Sequence, residues 1–222
     1  MHFKKGAKVL LNNVQNPPRN LDFSQCAEVG LSGLDLDGWD NLCFADGAKV
    51  DLSKCRHIPK DLDLSNCDEV NLSGCDLSQF SHLRFKKGAK VNLSGCYHIP
   101  ENLDLSMCSA VDLSNVGGEI KNLEVSQCDE VNLEGADLSQ LSHLSFKKGA
   151  KVNLSGCFNL PEGIDFSPCS EVDLSSCELS DECCLKFAEN SKVILNETKN
   201  IPHDTDFSGQ TGEFIFLFFG RT

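Results

Sequence analysis

The sequence predicts a β-rich solenoid of parallel strands with little helix, built as a single domain over residues 1–222. First, units of 20 or 21 residues repeat along almost the whole chain. Second, Val and Leu stand two residues apart in each unit, so both side chains point to the same side of a strand. Third, a unit of this length is too short to return through a full helix. We therefore expect short strands or extended segments on every side of the coil.

The repeats cover residues 3–204. A partial unit starts at Phe3, and the complete units begin at Leu21, Leu42, Leu62, Leu83, Leu103, Leu123, Leu144, Ile164 and Leu185. Residues 205–222 are predicted to form a degraded C-terminal repeat that caps the array. No unit buries its apolar face alone, so stability must come from stacking neighbouring units.

Each unit carries apolar anchors at fixed spacing. In residues 62–82 the anchors are Cys67, Val70, Leu72, Cys75 and Leu77, and Leu62 with Leu64 supplies a second wall. This spacing resembles the leucine-rich-repeat signature L-x-x-L-x-L-x-x-N/C-x-L, with Cys in the slot where Asn is common. Apolar-Pro steps such as Ile58-Pro59 and Ile99-Pro100 resemble the 20-residue bacterial class, which is familiar from effectors injected into host cells. The resemblance implies a right-handed superhelix, shaped as a horseshoe or arc, of about ten to eleven repeats.

The charge balance narrows the choice of partners. The chain has 20 Lys plus Arg and 33 Asp plus Glu, a net charge of −13. Nucleic acids and anionic membranes carry the same sign, so we expect neither as a partner. No apolar run approaches the length of a membrane span, and the N-terminus lacks the apolar region of a secretory signal. We expect a cytoplasmic protein, and delivery into a host cell stays open.

Most of the 13 cysteines fall into two repeat slots that face inward. The first slot holds Cys26, Cys67, Cys108, Cys128 and Cys169, and the ladder slot holds Cys55, Cys75, Cys96, Cys157 and Cys177. Free Cys is among the most buried residue types, so we predict a reduced thiol core in a reducing compartment. No C-x-x-C motif occurs, and we predict no metal site.

We predict no catalytic activity and no cofactor. The sequence has no G-x-S-x-G motif, no phosphate-binding loop and no paired carboxylates in an acid–base arrangement. The adjacent thiols Cys183 and Cys184 leave one alternative, an enzyme with a reactive thiol. No neighbouring His or Asp supports it, so it ranks last.

The outward strand residues form a row of alternating charge. The residue before each Val is Lys8, Glu28, Lys49, Glu69, Lys90, Ala110, Glu130, Lys151, Glu171 and Lys192. Adjacent parallel strands bring such residues about 5 Å apart. We expect a self-compensating surface in which Lys151 pairs with Glu130 and Glu171.

A second row, just after the ladder slot, supplies the candidate binding site. It reads Asp35, Arg56, Asp76, Tyr97, Gly117, Asp137, Phe158, Glu178 and Lys199. Aromatic side chains are common in protein-binding hot spots, and here two stand where other units carry charges. We place the site at one edge of the sheet, with Tyr97, His98, Phe158, Asp76 and Asp137. The alternative is that both rings fold over the repeat edge. Trp39 aligns with Phe80 and Leu141, which predicts a core position.

These features predict a non-enzymatic scaffold that binds a protein partner, and the resemblance of the repeats implies a role of the bacterial effector type. The alternative function is DNA mimicry, in which an acidic solenoid occupies a DNA-binding enzyme. Lysine rows such as Lys86, Lys87 and Lys90 interrupt the acidic field and disfavour it. The apolar run 214–219 either caps the open end of the core or mediates self-association.

Overall fold

The chain is a parallel-strand β-solenoid. Its computed structural model describes residues 2–80, 83–101, 103–180, 185–205 and 207, with the backbone of 214–215. This part contains about nine turns and no helix, in agreement with the predicted fold class. The number of turns is below the ten to eleven repeats expected, because that estimate included the partial first unit and the degraded last one.

One wall of the coil is an 11-stranded parallel sheet, here called the front sheet, in the order β1-β2-β3-β4-β5-β6-β7-β8-β10-β12-β13. Its strands are β1 (Ala7–Leu10), β2 (Cys26–Gly30), β3 (Lys49–Asp51), β4 (Glu69–Asn71), β5 (Lys90–Asn92), β6 (Ala110–Asp112), β7 (Glu130–Asn132), β8 (Lys151–Asn153), β10 (Glu171–Asp173), β12 (Lys192–Ile194) and β13 (Phe214–Ile215). A second, two-stranded sheet pairs β9 (Asp165–Phe166) with β11 (Lys186–Phe187).

Two further columns of pairing complete the coil. The side wall is the column of parallel bridges in which Asp35 pairs with Arg56, Asp76 with Tyr97, Tyr97 with Gly117, Asp137 with Phe158, and Glu178 with Lys199. The back wall contains β9, β11 and the bridges between His2 and Asp22, Phe23 and Phe44, Leu64 and Phe85, and Asp104 and Glu124. Extended backbone therefore occupies every wall, as the unit length predicts.

Alternation within each strand separates core from surface. In β5, Val91 is buried while Lys90 is exposed and Asn92 is half-buried. The inward Val and Leu columns join the back-wall side chains in one continuous hydrophobic core. The predicted core position of Trp39 is confirmed, since its exposed fraction is 4%.

Sharp turns separate the walls and select their residues. Gly135 has a φ of +68°, a conformation that L side chains rarely adopt, and an added Cβ would lie 2.6 Å from Asn115 Oδ1. The turn between the side wall and the back wall also needs positive φ. It is occupied by Asn or His in several coils, including His57, His98 and Asn159. These residue types tolerate the left-handed region better than most.

Candidate binding wall

The candidate residues Tyr97 and Phe158 lie on the outer surface of the side wall. Their exposed fractions are 57% and 60%. The sequence placed them at an edge of the front sheet, but the chain turns after each front strand and builds a separate wall there. Both rings therefore remain more than half exposed, and the Tyr97 ring also leans over Gly117 in the next coil.

Each aromatic residue is paired through its backbone with an acidic residue of the preceding coil. Asp76 bridges to Tyr97, and Asp137 bridges to Phe158, both in parallel pairing. We call these two units the aromatic–acid pairs. They are separated by three coils, or roughly 14 Å at about 4.8 Å per coil.

Both carboxylates are fixed by local hydrogen bonds. Asp76 Oδ1 accepts the backbone N–H of Ser78 at 2.9 Å and lies 3.1 Å from His98 Nδ1. The hydrogen bonds from Ser78 are the main cause, with His98 second, of a pKa for Asp76 below the ordinary carboxyl value. Asp76 is therefore ionised at neutral pH and has a fixed orientation.

Asp137 has the same arrangement with an amide in place of the imidazole. Its Oδ1 accepts Asn159 Nδ2 at 3.1 Å and the backbone N–H of Ser139 at 3.0 Å. The bond from Asn159, followed by that from Ser139, lowers the pKa of the Asp137 carboxyl. His98 and Asn159 reach these acids because both sit in the left-handed turn, with φ of 55°.

The structure thus brings all five predicted residues into one wall, grouped as two similar sites. Tyr97, His98 and Asp76 form one site, and Phe158 and Asp137 form the other. Sequence reasoning missed Asn159, which occupies the position of His98 in its own coil. Aligning the units beyond the aromatic residue would have found it.

Two glycines, Gly117 and Gly118, lie between the two pairs and carry no side chains. A Cβ at Gly117 would lie 3.1 Å from Tyr97 Cδ1, so the absence of a side chain lets the ring lie over the next coil. A Cβ at Gly118 would meet nothing within 4 Å, which leaves this stretch of backbone uncovered.

The front sheet offers a second, more polar surface. A groove of about 990 Å³ runs along its outer face, lined by the charged row and by the Asn and Asp residues that follow each Val. Many of these amides and acids bond locally; Asn92 Oδ1, for example, accepts the N–H of Ser94 at 2.8 Å. Part of the hydrogen-bonding capacity of these side chains therefore stabilises the turn that follows each strand.

The predicted alternating charge row is confirmed in register, strand by strand. Lys151 lies opposite Glu130 on one side and Glu171 on the other. The expected ion pairs of Lys151 are not formed, however. Glu171 Oε1 contacts Lys192 Nζ at 2.8 Å instead, and among the described residues no ion pair within 4.0 Å involves Lys151 or Glu130. A carboxylate flanked by two lysines selects one of them, and here it selects Lys192.

One coil interrupts both outward rows. On the front sheet, β6 carries Ala110 between Lys90 and Glu130, and on the side wall the same coil carries Gly117 between Tyr97 and Asp137. If residues 103–122 are left out, the front-sheet row alternates between lysine and glutamate without a break. The side-wall row then alternates between an acidic and a non-acidic residue. This coil therefore behaves as one neutral unit inserted into an alternating array.

The predicted thiol core is confirmed for both slots. All ten cysteines of the two rows are free and buried, while Cys43 is exposed. Burial raises the pKa of most of them to about 11 or 12, as at Cys96, where it is about 12. Thiols in this state are poor nucleophiles. Cys183 and Cys184 lie outside the described residues.

The described residues contain no group of three or more His, Cys, Asp or Glu side chains placed to hold a metal ion. Within the same ranges, no helix has the length and apolar character needed to cross a membrane. The fold and the exposed wall define the class of protein as a parallel β-solenoid with an aromatic and acidic outer column. No family model, curated protein or solved structure matches the chain.

Proposed function

We propose that this protein is a non-enzymatic interaction scaffold, and that the side wall is its contact surface for another protein. The single observation that carries the proposal is the exposure of Tyr97 and Phe158. Aromatic side chains that are more than half exposed on a rigid wall are typical anchors of protein interfaces. Repetitive pairing on both sides holds the wall in place, so binding costs little ordering entropy.

The repeat spacing supports placing the chain among the leucine-rich-repeat proteins, nearest the short bacterial class, with an effector-like role in a cytosol. The ten buried free thiols support a reducing compartment, because disulfides are rare there. The alternating signs of the front-sheet row disfavour the DNA-mimic alternative, since duplex DNA presents an unbroken negative charge.

The test is photo-crosslinking with partner capture, comparing three proteins. The first is the wild type, and the second carries Tyr97→Ala with Phe158→Ala. The third is a matched control with Leu10→Ala and Met107→Ala, which removes exposed apolar side chains outside the side wall. We expect the wild type and the control to capture the same partner, and the aromatic variant to lose it.

A second comparison separates the side wall from the front sheet. Lys151→Glu changes the charged row and leaves the side wall intact. If Lys151→Glu abolishes capture while the double aromatic variant still binds, the front sheet is the contact surface and the proposed site is wrong.

A further inference from the structure

One carboxylate of the side wall, that of Asp35, lies near a cationic side chain of the next coil. Asp35 bridges to Arg56, and Arg56 Nη2 lies 3.7 Å from Asp35 Oδ2. At the other end of the wall, Glu178 and Lys199 form the same backbone bridge, although among the described residues their side chains make no ion pair within 4.0 Å. In these outer coils the residue that follows the acid is a cation of the protein itself.

The two aromatic–acid pairs depart from that pattern. Tyr97 and Phe158 occupy the positions that Arg56 and Lys199 hold in the outer coils. Across the ranges that the structure describes, no lysine or arginine nitrogen lies within 4.0 Å of Asp76 or Asp137. In each pair an ionised carboxylate and an exposed ring therefore belong to residues paired in adjacent coils, and no lysine or arginine occupies the carboxylate.

A carboxylate beside a ring face is a site for a cation from outside. The carboxylate supplies a charge-assisted hydrogen bond, and the ring attracts the same cation through its quadrupole. Arginine suits both contacts best, because its planar guanidinium stacks on a ring while its N–H groups reach the carboxylate.

The spacing of the pairs defines the ligand further. An extended chain rises about 3.4 Å per residue, so roughly 14 Å corresponds to four residues. Four is an even number, and side chains four apart on an extended strand point to the same side. Gly118, between the pairs, has nothing within 4 Å of its Cβ position, which leaves room beside the Tyr97 ring for the backbone of such a segment.

We infer that the side wall binds an extended basic segment of a partner protein, with two arginine or lysine side chains four residues apart, one in each aromatic–acid pair. This inference rests on the proposed function and specifies the partner's chemistry. The net charge of −13 favours the approach of such a segment.

The probe is a fluorescent nine-residue peptide of serine and threonine, with arginines at its third and seventh positions. Two comparison peptides carry arginines at the third and sixth positions, or glutamates at the third and seventh. We expect the first peptide to bind wild-type protein about tenfold more tightly than either comparison peptide. Equal affinity for the two arginine peptides would overturn the two-point arrangement.

The decisive variant is Tyr97→Arg with Phe158→Lys, which copies the side chains of the outer coils. Each new cation lies next to its own acid and occupies it, so we expect affinity for the first peptide to fall to that of the glutamate peptide. The control, Met107→Arg with Gln127→Lys, adds the same charge elsewhere on the surface. If this control weakens binding as much, the effect is general repulsion and the inference is wrong.

These results remain separable from the proposed function. If the peptides fail to bind while Tyr97→Ala with Phe158→Ala still abolishes partner capture, only the basic-segment inference fails. If that double variant retains capture, the side wall is not the contact surface and the proposed function loses its site. The peptide series on wild-type protein decides the inference even if a variant does not fold.

Discussion

At the scale of single residues, the cysteines of the ladder slot do more than fill space. Each Sγ in this slot faces a Leu carbonyl of the preceding coil, as in Cys96 to Leu72 O at 3.0 Å. Thr198 takes the same slot and donates from Oγ1 to Leu174 O at 2.9 Å. The slot therefore favours a small donor that links neighbouring coils. The sequence predicts the burial of these thiols, but not their hydrogen bonds, because the backbone must turn before the carbonyl is in reach.

Thiol reactivity tests this core directly. In native protein under anaerobic conditions, we expect Ellman's reagent to modify Cys43 rapidly and to leave the ten buried thiols unmodified. After denaturation all 13 cysteines should react, with or without reductant. Rapid native modification of the ladder-slot cysteines, identified by peptide mapping, would contradict the buried-thiol assignment.

The same burial predicts sharp unfolding at alkaline pH. Burial raises the pKa of thiols such as Cys55 and Cys67 from 9.0 to about 12. The folded state therefore keeps protons that the unfolded state releases. These thiols leave the free energy of unfolding unchanged below pH 9. As pH rises from 9 toward 12, each thiol lowers the free energy of unfolding by about 1.4 kcal/mol per pH unit.

The nine thiols whose pKa is raised to about 11 or 12 together contribute a loss of roughly 13 kcal/mol per pH unit, which is comparable to the stability of a typical domain. We expect cooperative unfolding about one pH unit above 9, followed by circular dichroism. Thiolate absorbance should rise together with unfolding. A thiolate signal that appears near pH 9 in a still-folded protein would show that these thiols are open to solvent.

At the scale of strands and walls, the repeat spacing predicts some features and not others. The register of the front sheet follows from the spacing, because every unit places its Val at the same point and parallel strands stack in register. The repeat spacing does not determine which ion pairs form, because a carboxylate such as that of Glu171 has a lysine on both sides. The placement of Tyr97 and Phe158 on a separate side wall is not predicted either, since the turn before this wall depends on single residues that accept positive φ, such as Gly95 and Ser176.

Charge reversal on the front sheet tests the unpaired lysine. Lys151→Glu places three acids in adjacent strands, Glu130, the new side chain and Glu171. Like charges directly opposite are unfavourable, so we expect a loss of roughly 0.2–1 kcal/mol in the free energy of unfolding at low salt. Urea denaturation measures it, and the loss should shrink as salt screens the exposed charges.

Lys49→Glu is the paired counterpart, because Lys49 Nζ lies 2.8 Å from Glu69 Oε1. It creates the same run of three acids and also removes an ion pair that exists. We expect it to lower the unfolding midpoint more than Lys151→Glu. If Lys151→Glu has the larger effect, Lys151 is engaged with its glutamate neighbours in solution.

At the scale of the whole molecule, the coil 103–122 sets the distance between the two aromatic–acid pairs. Without it, Tyr97 and Phe158 would be two coils apart, or roughly 10 Å. This coil also pairs the backbone of Asp104 with that of Glu124 on the back wall, so two acidic residues occupy adjacent coils there. Repeat length predicts that coils stack, but the role of this one emerges only when the three walls are compared.

Deletion of whole coils tests this role. Removal of residues 103–122 brings Lys90 next to Glu130, so the front row alternates without a break. The control is removal of residues 42–61, a unit of the same length, which brings Glu28 next to Glu69. Nearest-neighbour stacking predicts that each deletion costs the contribution of one repeat and leaves a folded solenoid. The new contacts then decide which variant is more stable.

We expect the 103–122 deletion to have the higher Tm at low salt, and the difference to narrow at high salt because it arises from exposed charges.

Peptide binding should rank the two deletion variants in the opposite order. The 42–61 deletion keeps three coils between the aromatic–acid pairs and should keep the preference for arginines four residues apart. The 103–122 deletion shortens the gap to about three extended residues, whose side chains point to opposite sides, and should lose that preference. Equal Tm values at every salt concentration would contradict the charge argument, and an unchanged peptide preference after the 103–122 deletion would contradict the spacing argument.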